Sequence, residues 1–391
     1  MKTKHEEKKQ AILKSAFHIW GGCRYMNTSL SDLAADQNLT KQALYRYFPS
    51  KEKIESAMEK MALSEYEQYS RKLQHSLSSL EGDEFIRAYT NENIDFIARN
   101  RPYLGFLAYR YRERKEGPEI ARKEMKVFAE LAMEKAAVPG VGLRYLNSLT
   151  FMMVHRSKQA GKETGTWEDI WNSGFCGRTA IIQPDYEQVL NDASSVNYDA
   201  FAEDPLMLAV FETVMEEAGN GITLGKVAKK AGLTKSSLYN YWPGKEAMLN
   251  DVLSRQMVIF TRLFENFTAK YSRPEDRLFA YLAFTGTFLR RTPEILNYLQ
   301  RVMSHGVQMP HDKSGIENDL IKPMNSVLDS GLLNLHGYKP VELLGLVNLA
   351  GVNEIKHHLI EGSVRIRIEQ NLKDLYLLIM GGISAYRRTM K

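Results

Sequence analysis

The feature that most constrains this chain is a segment that occurs twice. "LTKQALYRYFPSKE" begins at Leu39 and "LTKSSLYNYWPGKE" begins at Leu233, with nine of the fourteen positions identical. The copies stand 194 residues apart in a chain of 391, close to half its length. Each copy extends without gaps to a longer unit, "TSLSDLAADQNLTKQALYRYFPSKE" and "ITLGKVAKKAGLTKSSLYNYWPGKE". Whatever fold one copy takes, the other takes too.

The unit spells out two short helices and a tight turn. Ser29 and Thr223 are suited to cap the first helix, and Asp32 is placed to reach back as an acidic variant of the capping box. Leu33 with Ala34, and Val227 with Ala228, put one branched and one small residue on the buried side, so that a second helix can approach. Asn38 and Gly232 share one position, and these residue types best tolerate a positive φ angle. Such a residue ends a helix and redirects the chain. Thr40 and Thr234 then cap the second helix. Leu44 and Phe48, like Leu238 and Trp242, are four residues apart and point inward together. Pro49 and Pro243 stop that helix, and Ser50 or Gly244 opens a long third one. This is a helix-turn-helix. Its second helix leaves Thr40, Lys41, Gln42, Tyr45 and Tyr47 outward, a donor-rich surface suited to phosphates and base edges.

Composition narrows the setting. Hydrophobic residues make up 44% and charged residues 25%, the balance of a globular protein with more than one domain at this length. Two cysteines, Cys23 and Cys176, have no metal-ligand spacing, so a disulfide framework is not expected and a cytoplasmic setting is. No apolar run reaches the roughly 20 residues that span a bilayer. The net charge of +5 is mild, but its distribution is uneven: residues 222–245 carry five lysines and no acid, while residues 28–51 carry a net +1. In the first copy, lysines of the N-terminal extension are expected to compensate. No phosphate-binding glycine loop, nucleophile elbow or metal cluster appears, so an enzyme is not expected. His305, His311, His336, His357 and His358 lack ligand spacing, and neither a metal nor another cofactor is expected.

With these residues in register, the sequence resembles the TetR (tetracycline-repressor) family of bacterial transcription regulators. Its DNA-binding run is matched twice, over roughly residues 8–60 and 202–255. The resemblance implies an all-α fold of two tandem TetR-like units. Residues 1–60 and 198–255 would be helix-turn-helix DNA-binding domains, and residues 61–190 and 256–391 helical regulatory domains. It implies contacts to double-stranded DNA from Ser29, Thr40, Lys41, Gln42, Tyr45, Tyr47 and Lys51 in the first reader. The second reader would use Thr223, Thr234, Lys235, Ser236, Tyr239, Tyr241 and Lys245. Glycine is common in the family where Gln42 and Ser236 stand, and histidine where Tyr47 and Tyr241 stand. Gln42 can bond adenine through two contacts, whereas Ser236 is nearly indifferent among bases.

The family normally pairs two identical chains of about half this length, with recognition helices spaced by about 34–36 Å, one DNA turn. Two readers in one chain suggest a covalent pseudo-dimer, acting as a repressor on an operator with two dissimilar half-sites and released by a small-molecule effector. Pairing of whole chains, with four readers, is the competing arrangement. Interface helices are expected in "VGLRYLNSLTFMMVHRSK", "TWEDIWNSGFCGRTAII", "PVELLGLVNLAGVNEIKHHLIEG" and "IEQNLKDLYLLIMGGISAY", with Gly174, Gly177, Gly351 and Gly382 permitting close approach. The polar stretch 184–204 is expected as the linker. An effector pocket would draw on Tyr89, Tyr103, Phe106, Phe284, Phe288 and Tyr298. The alternative is a helical protein-interaction or ligand-sensing module whose readers have lost DNA binding.

Overall fold

A computed structural model describes residues 4–20, 29–110, 119–156, 166–176, 181–197, 204–216, 222–292 and 322–389. Among these the chain is helical. The first half contains α1 (Lys4–Trp20), α2 (Leu30–Asp36), α3 (Lys41–Tyr45), α4 (Lys51–Leu77), α5 (Gly82–Arg99), α6 (Arg101–Arg110), α7 (Glu119–Ala136), α8 (Gly140–Arg156), α9 (Thr166–Ser173) and α10 (Tyr186–Ser194). The second contains α11 (Pro205–Glu216), α12 (Leu224–Lys230), α13 (Lys235–Tyr239), α14 (Lys245–Thr268), α15 (Pro274–Arg291), α16 (Asn325–Asp329), α17 (Pro340–Glu361) and α18 (Arg365–Thr389).

Both repeated units fold as their residues dictate. The Ser29 backbone N–H donates to Asp32 Oδ2 at 2.7 Å while the Asp32 N–H donates back to Ser29 Oγ at 3.2 Å, so the capping box is complete. Thr223 Oγ1 accepts from the Lys226 N–H at 3.3 Å. Asn38 and Gly232 lie at φ 52° and 67°. Each turn is closed by the same bond, from the Leu39 N–H to the Ala34 carbonyl and from the Leu233 N–H to the Ala228 carbonyl, both 2.8 Å. Thr40 and Thr234 cap α3 and α13 through the Ala43 and Ser237 amides, both at 3.1 Å. Bonds from Phe48 to Leu44 and from Trp242 to Leu238 carry each helical path on to the aromatic residue.

Each reader has a small core of its own. Ile12, Phe17, Leu33, Leu44, Phe48, Ile54 and Met58 fill the first, and Val210, Val214, Val227, Leu238, Trp242, Met248 and Val252 fill the second. Beyond them lies a single large core that draws on both halves, from Leu73, Phe85, Tyr145, Leu149, Trp171 and Phe175 to Phe279, Phe284, Val347, Leu375 and Tyr376. Described residues from both stretches expected to build regulatory domains, 61–190 and 256–391, meet in this core. Helix α8 packs on α17 and α18, and α9 packs along α18. The four expected interface segments therefore do come together as a helical group.

At the centre of that group α18 is broken. Gly382 takes φ 62° and ψ −168°, a region essentially reserved for glycine. The Ile379 and Met380 carbonyls, ahead of the break, accept the Phe175 and Cys176 amides of the first half, each at 2.8 Å. A Cβ on Gly174 would fall on the Met380 backbone, and one on Gly382 would lie 2.5 Å from the Asn172 carbonyl carbon. Gly351 differs from the expectation: a Cβ there would make an ordinary 3.5 Å contact with Leu282, so close approach does not need it. Gly177 lies outside the described residues. The expected linker is also revised over residues 186–194. They form α10, which packs on α15 through buried Val189, Leu190 and Ala193.

Candidate nucleic-acid interface

The two turn geometries present matched outward faces. In the first reader Ser29, Thr40, Lys41, Gln42 and Tyr45 are exposed, while Tyr47 and Lys51 are half-buried. In the second Thr223, Thr234, Lys235, Ser236, Tyr239 and Tyr241 are exposed and Lys245 is half-buried. Leu44, Leu238, Phe48 and Trp242 point the other way, into their cores. A helix and its side chains at such a turn have the dimensions to enter a major groove, with the preceding helix lying across the backbone.

The partners of these side chains make the two faces unequal. Tyr47 stacks on His5 of α1 with ring centroids 4.8 Å apart; its counterpart Tyr241 is 60% exposed. The Ser29 hydroxyl donates to Asp32 Oδ2 at 2.8 Å, so its proton is directed at the protein. The Thr223 oxygen accepts from its helix, and Lys226 stands where Asp32 stands in the first copy. Backbone and hydroxyl bonds from Ser29 hold the Asp32 carboxyl below its usual range. Lys235 Nζ lies 5.9 Å from the centre of the Tyr239 ring, a cation–π distance that keeps the amine over the recognition helix. Burial pushes the Lys245 amine below its usual value.

Of the N-terminal lysines, Lys8 is held in place with its charge intact. Lys8 Nζ donates to the Gln37 carbonyl at 3.1 Å and to its side-chain oxygen at 3.4 Å, tying α1 to the end of α2. In the second reader Lys230 is likewise engaged, by Glu216 at 2.7 Å and Glu212 at 3.4 Å of α11. Lys226 and Lys229, like Lys230, are exposed along α12. They were not among the residues singled out from the resemblance, although three lysines on one short helix were the visible signal.

The residues expected in an effector pocket are distributed rather than gathered. Tyr89 is buried in the shared core and its hydroxyl donates to Asn147 Oδ1 at 3.0 Å. Phe106 and Tyr103, on α6, sit at 5.5 and 4.1 Å from the Phe17 ring, against the first reader. Phe284 and Phe288 pack on Phe260 at 5.3 and 5.1 Å. Tyr298 lies outside the described residues. A cavity of about 20 Å³ between α5 and α9, beside Trp171 and Asp83, has room for one water molecule.

Sequence reasoning missed two polar contacts that tie elements together. Arg110 on α6 pairs with Glu59 at 2.9 Å and Glu55 at 3.6 Å on α4, joining the regulatory helices to the helix that leaves the first reader. Across the halves, Arg144 of α8 grips Glu354 of α17 through both carboxylate oxygens at 2.6 and 2.7 Å. His358 and Asn371 complete that buried set, at 3.0 and 2.6 Å from Glu354. Arg144 and Glu354 are 210 residues apart, and Arg110 and Glu59 are 51 apart, beyond any local pattern.

Together these features define an all-helical fold with two helix-turn-helix units whose outward faces carry hydroxyl, amide, phenol and lysine groups. The family model described as bacterial regulatory proteins, tetR family, matches residues 12–58 and again residues 212–252. Both helix-turn-helix units thus match the tetR family, and the chain carries two TetR-like units in tandem. No curated protein matches the chain at a significant level. Among the described residues, no helix is long and apolar enough to cross a membrane, and no group of three or more His, Cys, Asp or Glu is placed to hold a metal ion.

Proposed function

We propose that the chain acts on DNA as a covalent pseudo-dimer, each half playing the part of one subunit, and that it represses transcription from an operator with two dissimilar half-sites. The observation that carries this reading is the single core shared by α8 and α9 of the first half with α17 and α18 of the second. Contact residues would be those named for each reader, with Lys41, Tyr45, Tyr47 and Lys51, and Lys235, Tyr239, Tyr241 and Lys245, on phosphates. Gln42 and Ser236 would face base edges. The divergence of "TKQALYRY" from "TKSSLYNY" supports unequal half-sites.

A small-molecule effector would release the DNA by favouring a conformer in which the readers are differently spaced or tilted. The Arg110 pairs to Glu55 and Glu59 support α4 as the lever, since a shift of α6 would move the first reader with it. Selection of bound sequences from random DNA, followed by footprinting, tests the core of the proposal. One chain protecting two unlike half-sites about one turn apart is expected; a strictly palindromic preference sinks it. The effector step fails if DNA affinity stays flat across every compound that demonstrably binds.

A further inference from the structure

Superposing the two readers by their shared register exposes a difference in charge that goes beyond the recognition helices. Asp32, Ala35 and Asp36 of α2 stand where Lys226, Lys229 and Lys230 of α12 stand. Helices in this position cross the phosphate backbone, so these side chains bear on affinity and not on base reading. Lys230 is paired with Glu212 and Glu216, and Lys226, Lys229 and Lys230 all lie on the exposed side of α12. In the first reader Asp32 is held by Ser29, and Asp36 by Ser15 of α1 and by Gln37 at 3.2 Å. Both carboxylates are kept ionised by these bonds and would repel a nearby phosphate. Arg46, whose counterpart is Asn240, returns one positive charge to the first reader, and Lys8, still charged, is held at the end of α2 by Gln37.

The base-facing positions are unequal in the opposite sense. Gln42 is exposed and has the paired donor and acceptor that fit adenine, whereas Ser236 offers a single hydroxyl. We propose that the readers divide the work: the second, through Lys226, Lys229 and Lys235, supplies most of the phosphate attachment, and the first, through Gln42, supplies most of the base discrimination. This rests on the reading of the chain as a two-reader DNA-binding protein. The second half-site is then an anchor tolerant of sequence, and the first decides where the chain stops.

The test uses the full chain on DNA selected by it, with affinity followed against salt. Each phosphate contact contributes about 0.9 to the slope of log affinity against log salt. K226A/K229A is expected to make that slope shallower by about 2, and A35K, a surface change on α2, to make it steeper by about 1. In a random-DNA selection, Q42A is expected to flatten the preference at one base pair by roughly ten-fold or more, with S236A nearly silent. An unchanged slope for K226A/K229A, or an S236A profile as flattened as that of Q42A, overturns the division of labour and leaves DNA binding intact. If the unaltered chain selects no sequence and shows no salt-dependent binding, the underlying reading fails instead.

Discussion

At the scale of single residues, the turn positions and the buried carboxylate teach opposite lessons. Asn38 and Gly232 were readable because their constraint is local: one residue must take positive φ, and few types do so cheaply. Glu354 was not readable, because its environment comes from a partner 210 residues away. It is 1% exposed and Arg144 is 19% exposed. Burial pushes the Glu354 carboxyl up, but hydrogen bonds from His358, Arg144 and Asn371 outweigh it and hold the value at about 2. Its ordinary value is 4.5, so the folded state binds this proton less readily than the unfolded one. The resulting stability is fully present above about pH 4.5 and is lost as pH falls towards about 2. R144M should cost about 3–5 kcal/mol in chemical denaturation, since it strands a buried charge. R144M/E354M should recover most of that loss and flatten the acid limb of stability. A double variant whose loss equals the sum of the separate R144M and E354M losses would mean that the pair is not coupled.

At the scale of elements, what the sequence disclosed follows the range of the forces that shape each helix. Helices α2, α3, α12 and α13 carry their own caps, turns and stop signals, so their ends were legible. Helix α10 was not, because Tyr186–Ser194 is polar on most of its surface and only Val189, Leu190 and Ala193 mark the face that α15 buries. The break in α18 was half legible. Gly382 was noted for its size, but the need for it is conformational as well as steric. G382A should therefore cost more than a helix-interior substitution usually does, at least about 2 kcal/mol, because strain at φ 62° adds to a clash with the Asn172 backbone. The same variant should speed hydrogen exchange at the Phe175 and Cys176 amides, whose acceptors lie just ahead of the break. Unchanged exchange there would show that the carbonyls of Ile379 and Met380 do not depend on the bend.

At the scale of the whole molecule, the question is whether the covalent link or the shared core holds the halves together. The link fixes a high effective concentration, but apolar packing and buried polar contacts also cross between the halves. They include the apolar packing of α8 and α9 on α17 and α18. Arg144 reaches Glu354, Asn353 reaches Ser148 at 3.1 Å, and Arg387 reaches the Ala136 carbonyl at 2.7 Å. Tyr271 adds a bond to Asp192 at 2.9 Å, so that the end of the first half is also fastened to the second. Apolar cores of this kind persist without a tether at ordinary protein concentrations. A protease site inserted between residues 198 and 203 tests this directly. After complete cleavage the two fragments should co-elute on gel filtration at micromolar concentration and still bind operator DNA with one equivalent of each. Dilution should separate them only well below that range, because neither fragment keeps a complete core once alone. Fragments that part at micromolar concentration and remain folded would show that the halves are independent bodies joined by a string, and the pseudo-dimer would lose its physical basis.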